Sequence, residues 1–448
     1  MHIEGDLARE LDRAAGRIEQ AWPDAPRLGA EIAARFSTYT RDTVERTMTA
    51  GDAGRVFVIT GDIPAMWLRD SSAQLWPLLP FMAASAQARE LVQGVLRSQF
   101  GFICHDPYAN AFNDGPTGAA YHPGDLDSDP HLWERKYEID SLAFPVDLAH
   151  RTWHLIGHVI RPSEFFTPTL HEAILAIVRT WRLEQRHDAS AYRFVRAGMP
   201  PTETLARDGR GTPVAHTGMT WQGFRPSDDA CTYGYNIPAQ LFAARALRQI
   251  ADLAVLGFSD SALAAEAQHL RLEILDGVAR HGLYEGAELS PGRVTDGRIH
   301  GEPGAHLVYE VDGLGGALFM DDANLPSLLG LPLLGDLRVS DPIYQNTRRR
   351  VLSTANPHFV SGPAAAGVGS PHTPPGHVWP IALAVQGLTT TDQAEKRRLL
   401  HLLIDTDGGT GWMHESFDAG DPSTFTREWF SWANMMFCEL ALDAAGLL

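Results

Sequence analysis

The 448-residue sequence contains few cysteines and no long apolar run. Cys104, Cys231 and Cys438 are far apart, odd in number and not at metal-ligand spacing, so a disulfide framework is not expected and the reducing cytoplasm is the predicted location. No run of about 18 apolar residues is present, and residues 1–6 have neither a basic start nor an apolar core. Neither membrane insertion nor export is therefore predicted.

Basic residues are also scarce, since 37 Lys and Arg stand against 55 Asp and Glu, giving 37 − 55 = −18. This balance disfavours partners bound through phosphates, so neither nucleic acid nor an anionic membrane is expected as a partner. The hydrophobic fraction of 44% permits a large core. The 11 Trp residues favour sugar binding, because a pyranose offers an apolar face to an aromatic ring.

Several cofactor and nucleophile motifs are missing. No Walker loop, no GxGxxG after a strand and no GxSxG elbow occurs. Residues 125–129 begin like a calcium loop, but Pro130 replaces the required glycine and Lys136 stands where the closing glutamate belongs. His414 and Glu415 begin a zinc-protease signature that lacks its second histidine. No metal and no other cofactor is therefore expected.

Apolar residues recur at helical spacing through most of the chain. The pattern predicts a C-terminal helix over residues 429–444, and a helical hairpin whose arms include residues 241–253 and 270–278, with a turn at 257–260. No alternation of strands and helices is evident. Further helices are predicted near residues 25–49, 71–99, 138–159, 170–185, 322–332, 341–353, 377–388 and 391–404.

About a dozen paired helices predict an all-α fold, an α/α toroid with long loops on its active-site face. No composition shift marks a boundary, so a single domain over residues 1–448 is expected, with residues 1–25 as an N-terminal helical extension. The polar, aromatic loops are long enough to form a site, and they cover residues 101–137, 196–236, 284–321 and 355–377.

Carboxylates are concentrated at the predicted starts of helices. Asp70 either caps a helix or joins Trp67 and Arg69 in a sugar clamp, with a ring to stack and charged groups for vicinal hydroxyls. Asp228 and Asp229 either occupy a first helical turn, where the dipole favours negative charge, or form a pair in which one acid keeps its proton and acts as a general acid.

Glu415 lies in an aromatic loop before the C-terminal helix, where it either activates water or forms a surface salt bridge. Asp322, Asn324 and His372 are further candidates for binding hydroxyl groups, and a cap or a buried hydrogen-bonded group explains each of them equally well. Residues 137–141 add the acids Glu138 and Asp140. Local pattern alone leaves these alternatives open.

Taken together, these segments resemble glycoside hydrolase family 125, the exo-α-1,6-mannosidases of bacteria and fungi. The resemblance extends from about residue 30 to the C-terminus. The matching runs are residues 58–71, 137–140, 223–230, 321–324, 370–373 and 414–415. Residues 284–311 match no family pattern, and we expect that they reshape the subsites beyond the cleaved bond.

The resemblance implies an (α/α)6 barrel and metal-free inversion, with an Asp as acid and Glu415 as base, their carboxyl groups about 6.5–9.5 Å apart. In other toroid glycosidases the acid resembles the first carboxylate of a similar loop, which favours Asp228 over Asp229 here. The implied substrate is a mannose-containing oligosaccharide, acted on by a monomer or weak homo-oligomer. The residues implied to bind the terminal mannose are Trp67, Arg69, Asp70, Arg225, Asp322, Asn324, His372 and His414.

Two alternatives remain open at this point. One is another toroid glycosidase of the glucosidase or trehalase type, with the same acid and base but other hydroxyl contacts. The other is a sugar-binding protein or an epimerase on a similar toroid.

Overall fold

The computed structural model describes residues 1–124 and 129–448, so most of the discarded calcium-loop pattern at residues 125–129 lies outside the described residues. The chain forms two compact units. Unit 1 comprises Met1–Gln99, Leu148–Phe165 and Val360–Leu448, and unit 2 comprises Phe100–Asp147 and Phe166–Phe359.

Helices dominate both units. In chain order they are α1 (Gly5–Gln20), α2 (Pro26–Thr47), α3 (Leu68–Ala73), α4 (Ala86–His105), α5 (Ile139–Ile156), α6 (Pro162–Phe165), α7 (Pro168–Glu184), α8 (Ala206–Gly209), α9 (Ile237–Phe258), α10 (Ser261–His281), α11 (Leu331–Leu334), α12 (Pro342–Val351), α13 (Pro380–Leu388), α14 (Gln393–Asp405) and α15 (Ser431–Ala444). Within the described residues, every helix is too short or too polar to span a membrane.

The strands are two or three residues long. They are β1 (Met48–Ala50), β2 (Val56–Val58), β3 (Met66–Trp67), β4 (Ala111–Phe112), β5 (Leu132–Glu134), β6 (Tyr235–Asn236), β7 (Leu283–Glu285), β8 (Glu288–Leu289), β9 (Arg293–Thr295), β10 (Arg298–His300), β11 (His306–Leu307), β12 (Glu310–Val311), β13 (Ala317–Leu318), β14 (Phe359–Ser361), β15 (Ala366–Val368), β16 (His377–Val378), β17 (Ser416–Asp418) and β18 (Phe425–Thr426).

In unit 1, α15 packs on α2 and α13. Its side chains are buried along almost the whole helix, among them Trp432, Met436 and Leu440, which is why apolar residues appear at nearly every turn of its sequence. The N-terminal helix α1 packs on α2 through the buried Leu7 and Ile18. β16 pairs antiparallel with β17, and β17 with β18, so that the residue before β17 is held in a fixed backbone.

In unit 2, the predicted hairpin of α9 and α10 is confirmed. Ser259 takes a left-handed conformation at φ 53°, and its backbone N–H donates to a carbonyl of α9. Asp260 then caps α10, because its Oδ1 accepts from the N–H of Leu263 at 2.9 Å. In the same unit, β12 pairs antiparallel with both β6 and β13, which places Glu310 opposite Asn236.

Two predicted helices are wrong. The helix expected over residues 71–99 is broken, because Pro77 and Pro80 interrupt the hydrogen-bond ladder and a 3-10 helix, Trp76–Phe81, separates α3 from α4. The helix expected over residues 322–332 does not form, since Asp321 takes the N–H groups of Leu328 and Leu329 at 2.7 and 2.9 Å. The helical turn there begins only at α11.

The helical character of the fold is confirmed, but the loops also carry short antiparallel strands that were not predicted. Residues 284–311, which match no family pattern, include β7 to β11, with β9 and β10 forming a separate hairpin. Strands of two or three residues give no usable period in the sequence, because alternation needs at least four residues to be recognised.

Candidate active site

Glu415 lies in unit 1, immediately before β17. Its side chain is 9% exposed, and its backbone N–H points at the carbonyl of Thr426 at 3.3 Å. The guanidinium of Arg427 approaches the carboxylate, with Nη1 3.4 Å from Oε1 of Glu415. Glu415 is therefore a buried acid beside a cation, and the predicted alternative of a surface salt bridge does not describe it.

Arg427 is positioned by residues that lie far away in the sequence. Its Nη2 donates to Oγ1 of Thr60 at 3.1 Å, and its Nε donates to Asp62 at 3.0 Å. Burial lowers the pKa of Arg427, but the hydrogen bond to Asp62 and the charge of Glu415 outweigh burial and raise it. The arginine thus stays charged and connects the Glu415 loop to the segment that leads into β3.

Trp67, Arg69 and Asp70 form the second group of unit 1. Trp67 ends β3 and is 5% exposed, and Asp70 lies in the first turn of α3 rather than at its cap, because the helix already begins at Leu68. The Nε of Arg69 lies 3.7 Å from Oδ2 of Asp70. The buried ring of Trp67 and the charged pair of Arg69 and Asp70 are the groups that the predicted sugar clamp requires. The predicted N-cap role of Asp70 is wrong.

The two predicted histidines of unit 1 have different surroundings. His414 is fully buried and stacks on Phe425 at 3.8 Å, and its ring nitrogens face the carbonyls of Glu428 at 2.7 Å and Asp407 at 2.9 Å. Both nitrogens thus contact protein backbone. His372 is exposed in a turn, where its N–H donates to Oγ of Ser370 at 3.2 Å.

In unit 2, Asp228 and Asp229 lie in a tight loop and do not start a helix, which corrects the prediction. The backbone N–H of Arg225 donates to the carbonyl of Asp229 at 2.7 Å, and the backbone N–H of Asp228 donates to the carbonyl of Arg225 at 2.9 Å. The next helix, α9, begins at Ile237 and is capped by Asn236. No helix begins at the two acids, so the helix dipole does not explain them.

Asp228 has an unusual backbone for a residue with a Cβ atom. Its φ is 69°, in the left-handed region that favours glycine. Its side chain is half-buried, whereas that of Asp229 is only 2% exposed. A strained backbone that presents a partly accessible acid is typical of functional loops.

Arg225 anchors this loop to β12. Its Nε and Nη2 donate to the two carboxylate oxygens of Glu310 at 2.5 and 3.1 Å, and Glu310 is fully buried. Oε2 of Glu310 also accepts the N–H groups of Thr232 and Tyr233 at 2.9 and 3.1 Å. Burial lowers the pKa of Arg225, but the charge and the hydrogen bonds of Glu310 outweigh burial and raise it, so the guanidinium stays charged.

A buried polar network surrounds Asp228. The side-chain amide of Asn110 points at Oδ1 of Asp228 at 3.3 Å and donates to Glu134 at 3.0 Å. Lys136 is 2% exposed and donates to Glu203 at 3.0 Å. Burial lowers the pKa of Lys136, but Glu134 and then Asp228 raise it, so an ammonium ion lies near the acid.

Asp321 and Asp322 have different surroundings. Burial raises the pKa of Asp321 to about 8, and its oxygens hold the backbone of residues 328 and 329. Asp322 is also fully buried, and its Oδ1 accepts from the side chain of Asn324 at 3.1 Å. Burial lowers the pKa of His358, and the charges of Asp322 and Asp229 act on the same ring.

The sequence analysis missed several residues around these acids. None lies beside the acids in the sequence, and only Asp62 lies within one of the matching runs, residues 58–71. The one available signal was a polar residue in an otherwise apolar stretch. The missed residues are Asp62, Asn110, Glu134, Lys136, Glu310, His358 and Arg427.

Comparison with known proteins first establishes the class. A solved glycosidase structure, 15% identical, has a TM-score of 0.54 and covers 97% of this chain and 98% of its own, which shows a glycosidase fold alone. A metal-independent α-mannosidase of Streptococcus pneumoniae, solved in a non-productive complex with α-1,6-mannobiose, is 44% identical, with a TM-score of 0.88 over 98% of this chain and 97% of that one.

The family follows from the sequence comparisons. The meiotically up-regulated gene 157 protein of Schizosaccharomyces pombe (strain 972 / ATCC 24843) is 36% identical over 441 residues, 92% of this chain and 82% of its own length. The model of the metal-independent α-mannosidases matches residues 29–442. The chain belongs to glycoside hydrolase family 125, which confirms the resemblance noted in the sequence and makes the protein a glycoside hydrolase.

Proposed function

We propose that this enzyme hydrolyses terminal, non-reducing α-1,6-linked mannose from oligosaccharides, with inversion and without a metal ion. The observation that carries the proposal is the half-buried, strained Asp228, held in a polar network within a chain that matches the α-mannosidase family over residues 29–442. The α-1,6 linkage rests on the mannobiose bound by the 44% identical relative.

We assign the acid to Asp228 rather than Asp229. The left-handed backbone at Asp228 has an energetic cost that a purely structural loop would avoid, and its carboxyl is the more accessible of the two. Asn110 orients this carboxyl through Oδ1. In the proposed step the acid protonates the glycosidic oxygen while Glu415, oriented by Arg427, takes a proton from the attacking water.

The terminal mannose is proposed to contact Trp67, Arg69, Asp70, Arg225, Asp322, Asn324, His372 and His414, as predicted from the sequence. Support differs among them. Asp322 and Asn324 are buried and joined to each other, and Trp67 lies beside a charged pair. Both ring nitrogens of His414 already face backbone carbonyls, so we expect that its contribution is to hold the Glu415 loop.

The remaining predictions of the sequence analysis are also retained as proposals. They are an (α/α)6 arrangement of the helices in a single catalytic domain with residues 1–25 as an extension, a cytoplasmic location and a monomeric or weakly associating state. The three cysteines are free thiols, in keeping with a reducing compartment. Fractionation and sedimentation measurements test the last two proposals.

The roles are tested with Asp228→Asn, Asp229→Asn and Glu415→Gln. Loss of a general acid is expected to cost about 10²–10⁴-fold on α-1,6-mannobiose and much less on an aryl mannoside whose leaving group needs no proton. Glu415→Gln is expected to lose activity on both substrates. If Asp229→Asn and not Asp228→Asn shows the leaving-group dependence, our choice of acid is wrong.

The stereochemistry and the sugar specificity need one further measurement. Proton NMR of the first sugar released from α-1,6-mannobiose reports its anomer directly, and β-mannose is expected. An aryl α-glucoside hydrolysed as fast as the aryl α-mannoside would instead favour the glucosidase type. Initial release of α-mannose would overturn the inverting mechanism.

A further inference from the structure

Two histidines and an aspartate form a group on the surface of unit 2 that has no part in the proposed hydrolysis. His105 is the last residue of α4, and Asp129 and His131 directly precede β5. The Nε2 atom of His105 lies 2.8 Å from Oδ2 of Asp129, and the Nδ1 atom of His131 lies 3.2 Å from its Oδ1. We call this group the His–Asp–His cluster.

We propose that the His–Asp–His cluster binds a divalent transition-metal ion of the zinc or nickel type, through Nε2 of His105, the Asp129 carboxylate and Nδ1 of His131. The ligand atoms all lie within 4.8 Å of one another. Ligands at tetrahedral zinc are about 3.3 Å apart, from bond lengths of about 2.0–2.1 Å. Each histidine already lies near that distance from one carboxylate oxygen of Asp129, His105 from Oδ2 and His131 from Oδ1, and the two histidines need to approach each other by at most about 1.5 Å.

The side chains are free enough to make this movement, because 37%, 38% and 40% of the side-chain surfaces of His105, Asp129 and His131 are exposed. The same exposure leaves room for water to complete the coordination. Imidazole and carboxylate ligands together suit zinc and nickel, whereas magnesium and calcium prefer oxygen alone. The cluster is therefore expected to prefer zinc or nickel over magnesium, whereas a generally acidic surface would attract these divalent ions alike.

Asp129 is prepared for a ligand role. The backbone N–H of His131 and the ring of His105 both lie against its carboxylate oxygens. That N–H donates to Oδ1 at 2.9 Å and fixes the direction of the carboxylate, as outer hydrogen bonds do at metal sites.

A bound ion would join the end of α4 to the start of β5. The two histidines are 131 − 105 = 26 positions apart, so the ion closes a long loop. β5 carries Glu134, which accepts from Asn110, the residue beside Asp228. The effect of the ion is therefore structural, since it restrains the strand that supports the acid network, and it binds folded protein more tightly than unfolded protein.

The test uses tag-free, full-length protein treated with a chelator and then titrated calorimetrically with zinc chloride. A second histidine pair, His150 and His154 on α5, has Nε2 atoms 3.0 Å apart, so His150→Ala is placed in the parent protein and in every variant to remove it. One ion per chain is expected to bind and to raise the thermal midpoint. His131→Ala, and separately Asp129→Asn, are expected to weaken binding at least about tenfold.

Magnesium chloride serves as the control for charge alone and is expected not to bind at the concentrations at which zinc does. Equal affinity for zinc in the parent and in His131→Ala would overturn the proposal, as would absence of zinc binding. Magnesium binding as tight as zinc binding would also overturn it. Circular dichroism of each variant verifies that it is folded. Because all three side chains are partly exposed, their replacement is not expected to unfold the protein, and lost binding then reports the loss of a ligand.

Discussion

Replacement of Glu310 by Gln removes one charge from the buried pair that anchors the Asp228 loop. Gln has nearly the same volume, so the packing around β12 is preserved. The guanidinium of Arg225, 6% exposed, then loses both of its charged hydrogen bonds to carboxylate oxygens. The variant therefore isolates the electrostatic part of the anchor.

The magnitude follows from the burial of both partners. Breaking a buried ion pair by neutralising one member costs about 3–5 kcal/mol, because the remaining charge is left desolvated. That is a large share of a typical unfolding free energy of about 5–15 kcal/mol. Glu310 also orders the N–H groups of Thr232 and Tyr233, so we expect Glu310→Gln to lower kcat as well as stability.

Urea unfolding monitored by tryptophan fluorescence and by circular dichroism measures the change. Asp276→Asn is the matched control, because it breaks the exposed Arg280–Asp276 pair of α10 in the same unit, and it is expected to cost less than about 1 kcal/mol. A double variant, Arg225→Met with Glu310→Leu, should recover part of the stability but not the activity, because the N–H groups of Thr232 and Tyr233 still lose their acceptor. If Glu310→Gln costs no more than Asp276→Asn, the reasoning about the anchor is refuted.

Three further predictions concern other parts of the chain. Arg427→Met removes the guanidinium 3.4 Å from the Glu415 carboxylate, together with its hydrogen bonds to Thr60 and Asp62, so it should lower kcat on α-1,6-mannobiose; an unchanged kcat contradicts this. Burial raises the pKa of Glu439 to about 7 from 4.5, so the folded state keeps a proton that the unfolded state loses in that range, and the unfolding free energy falls as pH rises through it. Glu439→Gln should flatten this slope in urea unfolding across the same range, and an unchanged slope would assign it to other groups. A Cβ atom on Gly234 would lie 2.2 Å from Cδ1 of Trp221, so Gly234→Ala should cost about 1–3 kcal/mol, measured by thermal unfolding, and a neutral result would mean that the indole moves aside.

The elements that the sequence predicted well are those with a sustained helical period. α9 and α10 carry apolar stripes over 22 and 21 residues, and the turn between them has a clear cap at Asp260. The break between α3 and α4 was missed, although Pro77 and Pro80 are visible in the sequence, because the apolar pattern continues through the 3-10 helix that they impose. An apolar pattern indicates which residues are buried, and a buried 3-10 helix is as apolar as a buried α-helix, so the pattern does not distinguish the two.

The acids of the proposed site were predicted from motifs, but the residues that contact them were not. Asp228 and Glu415 lie in recognisable runs, whereas Lys136 and Glu310 act on the Asp228 loop from 92 and 82 positions away, by 228 − 136 and 310 − 228. A single sequence contains no measure of such distances in space. Even the local prediction for the Asp228 loop was wrong in form, because its backbone hydrogen bonds close a turn instead of starting a helix.

The left-handed backbone of Asp228 has a consequence for the evolution and engineering of this enzyme. A glycine at that position would relieve a backbone strain of about 1 kcal/mol, so the proposed acid is kept there at an energetic cost. If Asp228 is the acid as proposed, selection for thermal resistance alone would favour the loss of activity at this position. Any programme that improves the stability of this enzyme therefore needs turnover as a second criterion in each round.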